Sequence, residues 1–339
     1  MTTDRVTILD VASRAGVAIS SASAALNGRP GVSDETRERI RNAADDLGYV
    51  PSLRGRSLSS KRAFAVGLVV QRPTDVLAAD PFFAAFIGGA ESVLAEDGYA
   101  LVLQMATTAE DALQRHRRLA ADRRVDGVFL NEIRIDDPRV SLLTELGMPA
   151  VGINPDPTDF PFPSVRQDHQ PGITSLIDHL IELGHVNIAH VSGPPEFIHT
   201  RQRMDAWREA LVARGVDPGP VIAGDFTYEG GERAADQLVK GDHPTAVFCA
   251  NDLMAIGLMS RAQELGLTIP DDLSVAGFDG VRLGDYVRPT LTSLQTSPWL
   301  MGAKAATILL DQVAGIEPGD ITVEPAELHL GGSIGPARG

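Results

Sequence analysis

Residues 51–62, PSLRGRSLSSKR, hold Arg54, Arg56, Lys61 and Arg62 among four serines and no acid, in a chain of net charge −15. Cationic groups set among hydroxyls are suited to binding phosphate. Leu53 and Leu58 in the same stretch would lie about 140° apart on a helix, so they share no buried stripe. At least one needs an apolar partner outside its own helix. A wedge between the base steps of a duplex, matched by a second subunit, is one such partner. A basic linker with one leucine packed on the core is the other.

Residues arranged for catalysis are missing. GGER is not a phosphate loop, and neither a Walker motif nor HExxH occurs. His179 and His185 in HLIELGH stand six apart, off one helical face, and the eight histidines show no metal spacing. The one cysteine, Cys249, excludes an intramolecular disulfide and a multi-cysteine metal site, and its apolar run makes it a buried small hydrophobe. The expectation is a protein that is not an enzyme and needs no cofactor or metal.

The elements that would carry these residues change character along the chain. Residues 5–49 read as three short helices. Thr7 and Asp10 have capping-box spacing, Gly16 and Asn27-Gly28 are stops, and Ser33 opens a third helix that Gly48 ends. Two helices of about nine residues joined by a glycine turn have the dimensions of a helix-turn-helix. From residue 64, apolar runs (FAVGLVV, ALVLQM, DGVFL, AVGIN, NIAHVSG, VIAGDF, AVFCAND, SVAGFD) alternate with helical stretches at 82–97, 110–122, 172–184, 203–214, 229–240 and 253–265. Near-continuous apolar strands between helices predict parallel sheets covered on both faces, here two doubly wound halves. The carboxyl ends of the strands, where such folds bind ligands, would face a cleft between the halves.

Charge follows the same division. Residues 1–62 contain ten Lys/Arg and seven Asp/Glu, while the remainder has 20 against 38. A basic head on an acidic body is expected of a nucleic-acid-binding module joined to something else. With 339 residues, 43% hydrophobic and 22% charged, the chain suits two or three globular domains. No apolar run reaches the ~18 residues of a membrane helix, and MTTDRVTILD lacks a signal peptide's apolar segment, so a cytoplasmic protein with no membrane partner is expected.

The run VTILDVASRAGVAISSASAALNGRPGVSDETRERIRNAADDLGYVPSLRGRSL resembles the lactose-repressor family of bacterial transcription regulators. The resemblance continues in family order through GLVV, PFF, DGVFL, ELGHVNIAHVSGPP, PTAVFCANDLMAIG, IPDDLSVAGFDG and RPTLTSLQ. It implies a small all-α helix-turn-helix head at 1–50, a hinge helix or linker at 51–62, and an α/β two-lobed core at 63–339 like periplasmic binding proteins. The N-terminal lobe would comprise about 63–165 plus 292–323, and the C-terminal lobe about 166–290 plus 324–339.

Residue by residue, the resemblance places the helix from Ile19 to Leu26 in the DNA major groove, with Ile19, Ser20 and Ala24 at base edges. Thr7, Ser21, Ser23 and Asn27 would position the DNA backbone, and Arg56 and Leu58 would enter the minor groove from a hinge helix. The chain departs from the common pattern in three places. Ala24 can offer only apolar contact, Ala18 lacks an N-cap oxygen, and Gly55 weakens the hinge helix by up to ~1 kcal/mol, which predicts a hinge folded only on DNA. In the core the resemblance points to Arg203, Asn251, Asp279, Phe82 and Phe226 as effector contacts, with Asn131 and Asn154 facing them. Arg203 offers a planar fork of donors, Asp279 and Asn251 suit vicinal hydroxyls, and phenylalanine suits a sugar ring. Asp279 capping its turn and Asn251 capping the next helix are the structural alternatives. Trp207 is expected as a core anchor.

The expected function is a ligand-responsive, homodimeric repressor of carbohydrate-metabolism genes, released from a palindromic double-stranded DNA operator by a small-molecule effector, a sugar. The alternatives are a regulator using a nucleoside, purine or other corepressor, and a soluble sugar-binding protein without DNA function. ELHLGGSIGPARG contains no leucine heptads, so no tetramerisation helix is expected.

Overall fold

Three short helices open the chain: α1 Ile8–Ala15, α2 Ile19–Leu26 and α3 Asp34–Asp46. The computed structural model describes residues 6–28, 30–49, 60, 62–72, 81–240 and 244–338. It divides into two compact units, Met1–Phe64 and Ala65–Gly339. In the first, the Asp10 carboxylate closes the initial turn of α1 by accepting from the Thr7 backbone N–H at 2.8 Å and the Thr7 hydroxyl at 2.7 Å. Gly16, at φ +63°, ends the helix in the left-handed conformation. Helix α2 begins at Ala18 with no side-chain cap, as its sequence requires. Ser33 Oγ accepts from Thr36 N–H at 3.4 Å to start α3.

Val11, Ala12, Ala15, Ala22, Ala25, Ile40, Ala43 and Ala44 form the core of this head. Alanines at the crossings let three short helices approach closely enough to bury one small apolar centre. From α3, Arg37 donates to the Ala25 carbonyl and Arg39 to the Ala15 carbonyl, each at 3.1 Å. Arg39 satisfies a carbonyl at the end of α1, and Arg37 joins the Gly28 N–H on the Ala25 carbonyl at the end of α2. Of the basic stretch 51–62, only Ser60 and Arg62 lie among the described residues; Arg56 and Leu58 lie outside them.

The second unit carries two six-stranded sheets. The first contains β1 Ala65–Gln71, β2 Ala100–Ala106, β3 Gly127–Leu130, β4 Ala150–Ile153, β5 Ser164–Gln167 and β11 Ile321–Val323, in the order β11-β5-β4-β3-β1-β2, all parallel. The second contains β6 Ile188–Ser192, β7 Val221–Ala223, β8 Ala246–Cys249, β9 Ser274–Asp279, β10 Thr292–Gln295 and β12 Glu327–His329, in the order β12-β10-β9-β8-β6-β7. Only β12 runs antiparallel, against β10. The central strands are buried on both faces, as their unbroken apolar runs require.

The chain crosses between lobes three times: after β5, after β10, and between β11 and β12. This corrects the expected lobe boundaries. Thr292–Gln295 pairs with β9 and stays in the C-terminal lobe, and β5 keeps the N-terminal lobe's sheet running to Gln167. Strand pairing carries β10 past residue 292, and the chain returns only at α11, Pro298–Ala314. Helix α11 packs on α4, Pro81–Leu94, across glycines: a Cβ on Gly89 would lie 1.8 Å from the Trp299 carbonyl oxygen. No helix among the described residues is long and apolar enough to cross a membrane.

Candidate functional site

Between the two sheets, at the carboxyl ends of their strands, lies a cleft. It is lined by Arg72, Phe82, Phe83, Asn131, Glu132, Ile153 and Asn154 from the N-terminal lobe and by His199, Arg203, Phe226, Asn251 and Asp279 from the C-terminal lobe. The strand ends deliver most of them: Arg72 follows β1, Asn131 and Glu132 follow β3, Asn154 follows β4, Asn251 follows β8, and Asp279 ends β9. All seven candidate effector contacts named from the sequence therefore line one cavity.

Four lining residues hold left-handed backbone: Glu132 at φ +47°, Asn154 at +50°, Phe226 at +67° and Asp279 at +116°. Such conformations cost about 1–3 kcal/mol each and persist where surroundings over-determine them. Here the surroundings are visible. Asn154 Oδ1 accepts from Gln167 N–H at 2.8 Å, tying β4 to the first crossover. The Asp279 carbonyl accepts from Thr296 N–H at 3.2 Å and Thr296 Oγ1 at 3.0 Å, across the second. Gly193 makes room for Phe226, since a Cβ there would lie 2.0 Å from its ring.

On the C-terminal side, Arg203 projects from α8, Ile198–Ala213. Its guanidinium carbon sits 3.8 Å over the Phe278 ring, one nitrogen donates to the Ala250 carbonyl at 2.5 Å, and another stands 3.8 Å from Asp279. A single cation thus orients the ends of β8 and β9. Phe226 stacks on His199 at 5.3 Å, and His199 stacks on Phe197 at 5.4 Å, forming an aromatic wall. Burial, then the nearby Arg203, His169 and Arg72, hold the His199 imidazole well below its usual range, so it is neutral. On the opposite wall Phe82 stacks on Phe86 at 6.3 Å.

Asn251 makes the helix cap that its sequence position suggested while standing in the cleft wall. It lines the cleft, yet its Oδ1 caps α10, Asp252–Glu264, by accepting from Met254 N–H at 3.0 Å. Trp207 is fully buried and stacks on His190, and Cys249 is buried in β8.

Sequence reasoning missed Arg72, Glu132 and His199. Arg72 Nε donates to Glu132 Oε1 at 2.6 Å, with a second, shorter bond from its terminal nitrogen, and the pair is almost wholly enclosed. The Arg72 guanidinium also lies 5.1 Å from the Phe226 ring centroid across the cleft. A charged residue directly after an apolar strand, in GLVVQR and in VFLNE, was the available signal. A backbone seam joins the lobes beside this pair: Ile135 N–H donates to the Glu196 carbonyl at 3.0 Å, and Ile198 N–H to the Ile133 carbonyl at 2.9 Å.

In the head, α2 turns Ala22 and Ala25 inward. Ile19, 47% exposed, and Ser20 face solvent, while Ser21, Ser23, Ala24 and Asn27 are half-buried. Thr7 is exposed beside the start of α1. Asn27 Nδ2 donates to the Ser23 carbonyl at 2.8 Å, so part of its capacity closes the helix. The outer face is small and uncharged, with one large apolar side chain.

Residues 7–52 match the family model described as bacterial regulatory proteins, lacI family, and residues 177–334 match the periplasmic binding protein-like domain. The chain is 35% identical over 338 residues to the HTH-type transcriptional regulator CelR of Thermobifida fusca, covering 96% of each. Among solved structures it resembles the transcriptional regulator CelR–cellobiose complex, with 33% identity, TM-score 0.75, and coverage of 97% of this chain and 100% of that one. It also resembles the lac repressor dimer bound to operator and the anti-inducer ONPF, with 26% identity, TM-score 0.82, and coverage of 97% and 99%.

Proposed function

Because this chain belongs to the lacI family of bacterial regulatory proteins, we propose that it is a homodimeric, cytoplasmic transcriptional repressor that a sugar effector releases from a palindromic DNA operator. The head 1–50 binds double-stranded DNA, 51–62 forms the hinge, and the core from 63 onward binds effector and dimerises. Ile19, Ser20 and Ala24 meet base edges in the major groove. Thr7, Ser21, Ser23 and Asn27 hold the DNA backbone, and Arg56 and Leu58 of the hinge enter the minor groove. With a small, uncharged reading face, each half-site supplies little direct readout, so specificity leans on the two-fold pairing of half-sites.

The observation that carries the effector reading is the convergence of amide, carboxylate and guanidinium groups with facing phenylalanines in one cleft between lobes. Carboxylates and amides accept and donate to vicinal hydroxyls, and an aromatic face stacks on the apolar face of a pyranose. That CelR is found in complex with cellobiose supports the same class of ligand here. Effector binding shifts operator affinity only by its differential affinity for the two states of the dimer. The acidic core repels DNA, so head and hinge carry the phosphate contacts and binding weakens steeply with salt.

The test is titration of the full chain onto labelled operator fragments in the presence of sugars, polyols and nucleosides, paired with a thermal-shift screen of the same compounds. A sugar that raises the melting temperature and lowers operator affinity is expected. A nucleobase that shifts melting where no sugar does overturns the sugar reading, and a ligand that tightens operator binding makes the effector a corepressor.

A further inference from the structure

The charge arrangement of the cleft narrows the ligand further, resting on the sugar reading above. Among the described lining residues, Arg72 and Arg203 are the cations, and Glu132 and Asp279 the anions. Each cation faces a carboxylate inside the cavity. Arg72 holds Glu132 in a nearly enclosed double hydrogen bond, and Arg203 stands 3.8 Å from Asp279. The guanidinium faces are also covered, by Phe226 over Arg72 at 5.1 Å and by Phe278 over Arg203 at 3.8 Å. A site for a phosphate or a carboxylate presents uncompensated donors. In this one each cation is matched by a carboxylate. Glu132 Oε2 and both polar atoms of the Asn131 side chain, a residue 3% exposed, are buried with no hydrogen-bond partner among the described residues. A buried carboxylate oxygen beside an amide oxygen asks for hydroxyl donors, and a buried amide nitrogen asks for a hydroxyl acceptor.

We propose that Glu132 and Asn131 read the hydroxyls of an uncharged sugar, and that the Arg72–Glu132 pair is the specificity element that excludes phosphorylated and acidic sugars. Arg72 is the counter-ion of the Glu132 carboxylate and occupies its Oε1, leaving Oε2 as the acceptor. An anionic ligand would have to break that pair and lie against the Glu132 carboxylate, whereas a neutral pyranose takes up its free oxygen through a hydroxyl.

Calorimetric titration of the full-length protein with neutral mono- and disaccharides, each beside its 6-phosphate and its aldonic acid, tests this. The neutral form is expected to bind at least about tenfold tighter than either anionic form, with an affinity nearly independent of salt. Glu132→Gln, which leaves the Arg72 charge uncompensated, should weaken the neutral sugar about tenfold and strengthen the 6-phosphate relative to wild type. The double variant Arg72→Met, Glu132→Met removes both charges and should lose neutral-sugar affinity with no gain for the phosphate. Tighter binding of a phosphate or aldonate by the wild-type protein overturns the charge-pairing inference and leaves the sugar reading standing. Binding of a nucleobase with no sugar of either kind overturns both. The wild-type comparison decides the inference even where a variant folds poorly.

Discussion

Asn251 and Phe226 are joined by a hydrogen bond of 3.0 Å from the Asn251 Nδ2 to the Phe226 carbonyl, while the same side chain caps a helix through its Oδ1. One amide thus starts α10 and holds a residue of the cleft wall in its left-handed conformation at φ +67°. Asn251→Ala should cost about 1–3 kcal/mol of unfolding free energy, from a lost cap and an unpaired carbonyl, and should weaken effector binding. Asn251→Asp keeps the capping oxygen and removes the donor. Denaturant unfolding of this variant should recover much of the stability, while its effector affinity stays reduced. Wild-type effector affinity in Asn251→Asp would show that the bond to Phe226 plays no part in binding.

Asp252, directly after it, gives a pH-dependent stability. Burial pushes its carboxyl up to about 7, against opposing hydrogen bonds from Ser293, Val281 and Gly280. Val281 N–H donates to its Oδ2 at 2.7 Å and holds the loop that follows Asp279. A folded-state value above the ordinary carboxylate value of 3.8 means that the native protein binds the extra proton between about pH 4 and 7. Its stabilising contribution is complete at low pH and is lost as pH rises through 7, by at most about 1.4 kcal/mol per pH unit. Asp252→Asn should abolish that slope in urea titrations run between pH 5 and 8.

His116 has the opposite sign. Burial lowers its imidazole to about 4, and its Nδ1 contacts the Ala112 carbonyl at 2.8 Å. The unfolded chain takes up a proton near pH 6.5 that the native state refuses until about pH 4. Stability from this residue is therefore present at neutral pH and lost as pH falls, by about 2 kcal/mol between pH 6.5 and 5. His116→Gln should flatten the acid limb of the stability profile. Because this slope opposes that of Asp252 over much of the same window, each is read as the difference between wild type and its own variant.

Ala18 occupies the N-cap of α2 with φ −68° and ψ 149°, a geometry that accepts a capping side chain without rearrangement. Ala18→Ser should stabilise the head by about 0.5–2 kcal/mol and tighten operator binding through an ordered reading helix and a new phosphate contact. Unchanged melting of the head, followed by far-UV circular dichroism of the full chain, would mean that the first turn of α2 is already satisfied by water.

Leu58→Ala should weaken operator binding about tenfold or more in fluorescence anisotropy while leaving effector affinity intact, because a wedge acts on the duplex alone. Unchanged operator affinity would return this leucine to a linker.

The sequence alone determined the chain's periodicities and punctuation. Thr7 with Asp10, and Ser33 with Asp34, announced helix starts, glycines announced stops, and unbroken apolar runs announced strands buried on both faces. Those signals are local, because capping, backbone conformation and burial act within a few residues, so the two-sheet architecture and the cleft at the strand ends were legible. Placing all seven cleft residues required the family resemblance as well, since nothing local marks Asn131 or Phe226 as facing a ligand. The tertiary structure alone decided which charges meet. Arg72 and Glu132 are 60 residues apart and pair because β1 and β3 are neighbours in the sheet. Phe226 reaches Arg72 from the other lobe, 5.1 Å across the cleft. Thr292–Gln295 falls in the C-terminal lobe because β9 offers a parallel edge, which an apolar run cannot specify by itself. Pairings between distant segments follow sheet order and lobe closure, and no spacing along the chain encodes these.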